Sequence, residues 1–556
     1  MRRYAAILRK HGRGGLACGA VRPLPLLAAA ASLAALAAPA SAAPSAPPAP
    51  PMVLPGAAAA ASGSGWIVGA RPTARADALA RRAGAREVLP GGYAVPRARA
   101  RALAGALRAA GLLTFAEPDR LGTVYRQDQR AVADDPLSPQ ARWRDAAVHP
   151  SLAPPPVTDT SPLLALIDSR IEAGHPEFAG GRITTQGRAA LGNAHGTATA
   201  AVAAAPKNDV GILGVWPGMR ALNVALPSDG VRCSDSARGI VDSIEAGAAV
   251  INMSYGSPSF CYLEYEALQL ATARGVTLVA AGGNELADGN PLEFPASLPH
   301  VVTVAALTPS DTSAGFSNEN AAIDLAAPGV NILTAVPAAY DDDDDARDGW
   351  AALHGTSFAA PIVAAAAAWV RAARPGLKVD QVAQVIRLSA RDVGREGWEP
   401  STGFGALDLR AALVREAPPR DPKEPNEDIP FVSGAAFGQR HAAIWSGRGR
   451  STLRALLDVF EDPGDVYRLR VPGGRRVRIT VAPRYGDPDL EAYAGSARHV
   501  GSARGRVARS RRSGRRTETL RLVNRSRRTR TLYVRVYMAG RGNGLDAGYT
   551  LRVRRG

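Results

Sequence analysis

Three short stretches of this chain place a carboxylate, an imidazole and a hydroxyl where chemistry could use them. "LIDSRIEAGHPEF" sets Asp168 after an apolar run, "NAHGTATA" sets His195 ahead of an alanine-rich run, and "HGTSFAAP" sets Ser357 ahead of another. A serine hydroxyl is a poor nucleophile until a base takes its proton. An imidazole does that near neutral pH, and a buried carboxylate holds the imidazole in the right tautomer. The chain therefore carries each part of an Asp–His–Ser triad, in that order. Taken singly, each group also has a plain structural use. Asp168 or Ser357 could cap a helix, His195 could sit satisfied in a core, and Asn284 could shape a turn. A lipase or esterase would want a Gly-x-Ser-x-Gly elbow, and Ser357 lies in Gly-Thr-Ser-Phe-Ala instead.

Such groups must be held by a framework. From about 150 to 415, apolar runs such as "PLLALID", "VINMSYG", "GVTLVAAGG" and "VVTVAAL" alternate with helical patterns such as "HGTATAAVAAA" and "YEALQLATARG". Short apolar strands between helices predict an α/β fold, a parallel sheet with helices on both faces. Ligands of such sheets gather at the carboxyl ends of the strands, and Asp168, Ser254 and Asn284 fall there. Ser357 is expected at a helix N-terminus, where free N–H groups and the dipole favour negative charge. Pro361 is expected in the first turn of that helix, where proline is tolerated.

These stretches together resemble the subtilase family of serine endopeptidases. "HGTSFAAP" is similar to its serine signature, "HGT" to its histidine signature, "ALIDSRI" to its aspartate signature, and "LVAAGGNE" to the segment supplying its oxyanion asparagine. "VINMSYG", "FPASLPHVVTVAA", "FSNENAAIDLAAPGVNILTA" and "TGFGALDL" run in register between them, so the resemblance covers about residues 134–415. It implies a subtilisin-like sheet and peptide-bond hydrolysis through an acyl-enzyme, with Asp168, His195, Ser357 and Asn284 as the catalytic residues. It implies substrate-binding strands at Ser254-Tyr255-Gly256 and Ala281-Gly282-Gly283. Glu293 and Glu285 then fall near the base and rim of the first specificity pocket, which suggests tolerance of a basic P1 residue. No cofactor is required for the chemistry, and a structural calcium is implied near Glu177 and Asn208. Two positions depart from the pattern: Arg170 stands where glycine is usual, and His354 where Ser or Asn is commoner. The acidic run Asp341–Asp345 reads as a solvated, flexible loop.

The flanks carry further information. Basic residues within 1–42 precede the apolar "LPLLAAAASLAALAA" and the small-residue site Ala40-Ser41-Ala42, so 1–42 reads as a signal peptide and the protein as secreted. Residues 43–63 form an Ala/Pro-rich spacer. Residues 64–133 resemble a propeptide, a small α+β module that inhibits its own enzyme, with self-cleavage expected between about Asp119 and Asp134. The peptidase domain spans 134–415, a proline-rich linker 416–430, and a basic β-rich domain 431–556 that resembles the pre-peptidase C-terminal domain. Residues 501–556 hold 17 of the arginines against two acids, within a net charge of +17. That excess suits an anionic cell-surface polymer, while specific nucleic-acid binding has no motif behind it. Beyond Cys18 the cysteines are Cys233 and Cys261, which in an exported chain suggests one disulfide, the alternative being two buried thiols. The competing function is a surface-binding protein built on an inactive peptidase scaffold, which the intact triad disfavours.

Overall fold

The computed structural model describes residues 65–124, 143–149, 151–341, 347–438, 440–538 and 546–556. The expected signal peptide, the spacer, the joint after Val124, and Asp342 to Asp345 lie outside the described residues.

The first module is β1 (Gly65–Ala70), α1 (Ala74–Arg82), β2 (Arg86–Leu89), β3 (Gly92–Pro96), α2 (Arg97–Ala109) and β4 (Leu113–Pro118). Its strands form an antiparallel sheet in the order β2-β3-β1-β4. Val68, Tyr93, Val95, Leu103 and Leu107 bury one face against the two helices. Thr73 caps α1 by accepting from Ala76 N at 3.1 Å. Gly91 makes the β2–β3 turn at φ +83°, and a Cβ there would lie 2.2 Å from the Ala70 carbonyl, so only glycine fits. A short strand, β5 (Leu121–Val124), follows the module.

The next region holds β6 (Leu164–Ser169), β7 (Arg182–Gln186), α3 (His195–Ala204), β8 (Arg220–Leu226), β9 (Val231–Arg232), α4 (Cys233–Glu245), β10 (Val250–Met253) and β11 (Tyr255–Gly256). It continues with α5 (Tyr262–Ala273), β12 (Thr277–Ala281), β13 (Val301–Leu307), β14 (Leu325–Pro328), β15 (Ile332–Ala335), β16 (Trp350–Leu353), α6 (Thr356–Ala373), α7 (Val379–Leu388) and α8 (Leu409–Val414). Seven strands build a parallel sheet in the order β14-β13-β12-β10-β6-β8-β7. Central strands buried on both faces must be apolar throughout, and "LALI" of β6 is fully buried. Leu164 and Leu166 join the core formed with α3 and α6. Ile167 points to the opposite face, where a Cβ on Gly239 of α4 would come within 2.8 Å of it. The alanines of α6 are buried nearly throughout, which explains a helix apolar enough to cross a membrane yet held inside the core. Cys233 and Cys261 are joined as a disulfide, with Cα atoms 6.2 Å apart, tying the start of α4 to the start of α5.

The last region contains α9 (Ile429–Ser433), β17 (Arg450–Asp458), β18 (Gly464–Val471), β19 (Arg476–Tyr485), β20 (Pro488–Ala494), β21 (Arg506–Ser510), β22 (Glu518–Val523), β23 (Arg530–Met538) and β24 (Asp546–Arg555). Two antiparallel sheets, β17-β24-β19-β22 and β18-β23-β20-β21, enclose a core of Trp445, Leu469, Ile479, Leu490, Val534 and Val553. The proline-rich connection before them is packed. Gln381 donates to the Pro418 carbonyl at 2.8 Å, and Asn426 accepts from Val466 N at 2.6 Å. Asp341 also differs from expectation. It is buried, and its Oδ2 accepts from Gly349 N at 2.7 Å, so it anchors the loop's start.

Candidate active site

Asp168 is the penultimate residue of β6, the strand with β8 on one side and β10 on the other, where the connections of a doubly wound sheet diverge and leave a crevice. The side chain is buried. Its Oδ1 accepts from Ser169 N at 2.7 Å and meets His195 Nδ1 at 2.7 Å, while Oδ2 accepts from Thr199 Oγ1 at 3.0 Å. An Nδ1–H donated to that carboxylate fixes the imidazole with a lone pair on Nε2. His195 is the first residue of α3, and its ring lies 5.9 Å from that of Phe358, beside Ser357. Nε2 has no protein partner, and the Ser357 hydroxyl donates to the Ser254 carbonyl at 3.3 Å. Serine hydroxyls of ligand-free sites are often turned in this way and swing to the base when substrate enters.

Ser357 is the second residue of α6, so its N–H is among those a helix leaves unpaired. Asn284 follows β12, and its Oδ1 accepts from Thr356 N at 3.0 Å and Thr356 Oγ1 at 2.8 Å. That grip on the amide oxygen leaves the Nδ2 donor to face the crevice. Gly355 adopts φ 150°, and a Cβ there would lie 3.3 Å from Asn284 Nδ2 and 3.6 Å from Ser357 N. The two N–H donors thus flank one small space that the absent side chain keeps open.

Pro361 corrects the sequence reading. It is the sixth residue of α6, in the second turn, where its missing N–H leaves the Ser357 carbonyl without its helical partner. Ser254 Oγ supplies that bond at 2.8 Å, and Asn252 Nδ2 donates to Ser254 Oγ at 2.9 Å. Ser254 is thereby tied to the helix carrying Ser357 through both its side chain and its carbonyl. Neither this use of proline nor that of Thr356, Thr199 and Ser169 was read from the sequence.

The remaining sequence candidates are placed as follows. Tyr255 and Gly256 form β11, Ala281 ends β12, and Gly282 and Gly283 lead from it to Asn284. Glu293 is buried behind Gly283, where a Cβ on that glycine would reach 2.9 Å from its Cγ. Glu285 turns its Oε2 back to Asn284 N at 2.7 Å, and partial burial raises its carboxyl above the usual range. Arg170 reaches the carbonyls of Gly187 and Ala189 and leaves the Asp168 carboxylate undisturbed. His354 accepts from Asn331 N at 3.1 Å. Glu177 and Asn208 adjoin and share hydrogen bonds, while Glu177 Oε1 has no protein partner. Glu177 Oε2 accepts from Ile212 N at 2.9 Å and Trp350 Nε1 at 2.6 Å, and Asn208 Nδ2 donates to the Glu177 carbonyl at 3.0 Å. Burial pushes the Glu177 carboxyl up to about 7.

The crevice is occupied by the chain itself. β5 lies between β11 and β9 in a three-stranded antiparallel sheet, with Val124 opposite Tyr255 and Thr123 opposite Gly256. Two carboxylates just before it cap the disulfide-linked helices. Glu117 accepts from Tyr262 N and Leu263 N at the head of α5, and Asp119 accepts from Ser234 N and Oγ at the head of α4.

The subtilase family profile matches residues 159–405. Subtilisin DY of Bacillus licheniformis is 32% identical over 257 residues, which is 45% of this chain and 89% of that protein. The chain belongs to the subtilase family of serine endopeptidases. Subtilisin Savinase of Lederbergia lenta is 33% identical over 266 residues, 46% of this subtilase and 92% of that protein. Fervidolysin of Fervidobacterium pennivorans is 30% identical over 290 residues, but the match spans 41% of its length. The crystal structure of fervidolysin, described as a keratinolytic enzyme related to subtilisin, covers 83% of this subtilase and 85% of that chain at a TM-score of 0.56 and 18% identity. The shared fold thus reaches beyond the peptidase domain.

Proposed function

We propose that this subtilase is an exported endopeptidase made as a self-inhibited precursor. The observation that carries the reading is the buried His195–Asp168 pair at 2.7 Å, set in the crevice that holds Ser357 and the paired strand β5. Asp168 orients the imidazole. His195 takes the proton from Ser357 Oγ, and the alkoxide attacks the scissile carbonyl. The oxyanion forms between Ser357 N–H and Asn284 Nδ2, in the space in front of Gly355. His195 then gives its proton to the leaving amine, the acyl-enzyme forms, and a water activated by the same imidazole releases it.

Substrate binds as β5 does, extended between Ser254–Gly256 and Val231–Arg232, with the wall from Ala281 to Gly283 beside its first side chain. Glu293 behind Gly283 supports acceptance of a basic P1 residue. The first module acts as the propeptide, and its junction is cut after Tyr125, which follows Val124 in sequence, within the expected window between Asp119 and Asp134. The basic sandwich binds an anionic cell-surface polymer. Arg450, Arg554, Arg478 and Arg521 stand directly opposite one another across β17, β24, β19 and β22. Like charges so aligned destabilise a sheet unless a counter-charge is supplied.

The test is intact mass over time of the protein lacking residues 1–42, beside its Ser357→Ala variant. Loss of a fragment ending at Tyr125 in the parent alone supports the reading. If both chains stay whole and neither takes a fluorophosphonate, the endopeptidase reading fails and the binding scaffold replaces it.

A further inference from the structure

Far from the triad, the packed connection and the turn before β18 bring four carboxylates together. Asp421 and Glu424 come from the connection, Asp462 and Asp465 from the turn and the start of β18. One oxygen from each lies within 4.8 Å of the others. Carboxylates at this spacing repel strongly unless something positive stands between them. Asp421 is only 7% exposed. Its Oδ2 accepts from Leu456 N at 2.7 Å, but its Oδ1 has no partner, and neither does Oδ1 of Asp462. Asp465 accepts from three neutral donors, Tyr467 OH at 3.0 Å, Asn426 Nδ2 at 3.1 Å and Tyr549 OH. These orient its oxygens without cancelling the charge.

Two nearby cations, Arg387 and His300, have carboxylate partners outside the cluster. Arg387 serves Asp324 at 3.2 Å, Asp458 at 3.2 Å and Glu461 at 2.6 Å. His300 Nε2 bonds Glu427 and reaches only one edge of Glu424, at 3.7 Å. A cavity of about 150 Å³ opens beside the cluster, lined by Asp380, Asp421, Glu424, Asp462 and Asp546 among others.

We propose that Asp421, Glu424, Asp462 and Asp465 form a divalent-cation site that takes Ca²⁺ and clips the sandwich to the connecting segment. The donor set is all oxygen and mostly anionic, drawn from two segments with room for carbonyls or water to complete six to eight ligands. That suits calcium better than zinc, which wants nitrogen or sulfur, or magnesium, which wants a tight octahedron. The unpartnered Oδ1 atoms are the free ligand positions. Because Glu424 and Glu427 also meet His300 of the peptidase domain, the cation stiffens the junction between the two domains.

The test uses the full chain carrying Ser357→Ala, so that it does not digest itself, stripped with chelator and titrated with CaCl₂ by calorimetry. One calcium equivalent is expected to disappear in Asp421→Asn/Asp462→Asn and to remain in Glu177→Gln. Saturating calcium is expected to raise the parent's Tm by about 5 °C or more, and that of the double variant by less than half as much. Without calcium the double variant is expected to melt no lower than the parent, since repulsion has been removed. If it does not fold, Asp462→Asn alone carries the comparison, since its Oδ1 makes no protein hydrogen bond. The proposal is overturned if neither variant loses an equivalent. It is equally overturned if the parent's Tm ignores calcium and climbs only on acidification, for then shared protons hold the cluster together.

Discussion

Ser357 and Asn284 are positioned by different neighbours, and their substitutions should separate accordingly. Ser357→Ala should abolish turnover and fluorophosphonate labelling without lowering Tm, because the hydroxyl makes one long bond, to Ser254 O. Asn284→Ala should lower kcat by about 10²–10³ with little change in KM, a magnitude known from subtilisin of this same family rather than derived from the geometry here. Gly355→Ala should cost at least about tenfold in kcat/KM in a peptide assay, since its methyl enters the oxyanion space and φ 150° strains any other residue. Asp168, His195, Ser357 and Asn284 could be named from the sequence because each lies in a short local signature. Glu177 and Asn208 were named for residue types that suit a cation, whereas the contact of Trp350, distant in sequence, with Glu177 Oε2 is visible only in the fold.

The core helix α6 shows why local rules miss long-range compensation. Its proline was placed one turn too early, and the true position would be costly had Ser254, 103 residues from Ser357, not filled the vacant bond. Ser254→Ala should therefore destabilise by about 1–3 kcal/mol, the cost of an unpaired buried carbonyl. Adding Pro361→Ala, which restores a helical N–H, should recover part of that loss in a denaturant-melt double-mutant cycle. The strands were legible from their apolar runs. The capping of α4 and α5 by Asp119 and Glu117 was not, since capping by a separate module leaves no trace in the helix's own sequence. In the docked module, burial pushes the Glu117 carboxyl up to about 7, against an ordinary 4.5 when exposed. A raised bound-state value means docking takes up a proton. Affinity is then strongest below about pH 4.5, falls between 4.5 and 7, and is level above, by up to about two orders of magnitude. Native mass spectrometry of the cleaved complex should show more dissociation at pH 8 than at pH 5, with Glu117→Gln flattening the difference.

Across the whole molecule, charge is divided between a mildly acidic peptidase domain and a basic sandwich. The arginine row predicts retention on an anionic polymer resin that weakens steeply with salt, and Arg478→Ala/Arg554→Ala should elute at clearly lower salt while peptidase activity is unchanged. The composition showed the excess of arginine but could not show alignment, which depends on register between strands far apart in the chain. The three-stranded arrangement β9-β5-β11 has one more implication. A segment that must hydrogen-bond to strands on both sides cannot keep its carbonyls and amides in helical bonds of its own. Native proteins should thus be cut only where several consecutive residues come loose from their own structure. For such targets the rate would report the target's local opening free energy as much as the enzyme's taste in side chains. A helical protein and its denatured form, identical in sequence, should differ as substrates by orders of magnitude.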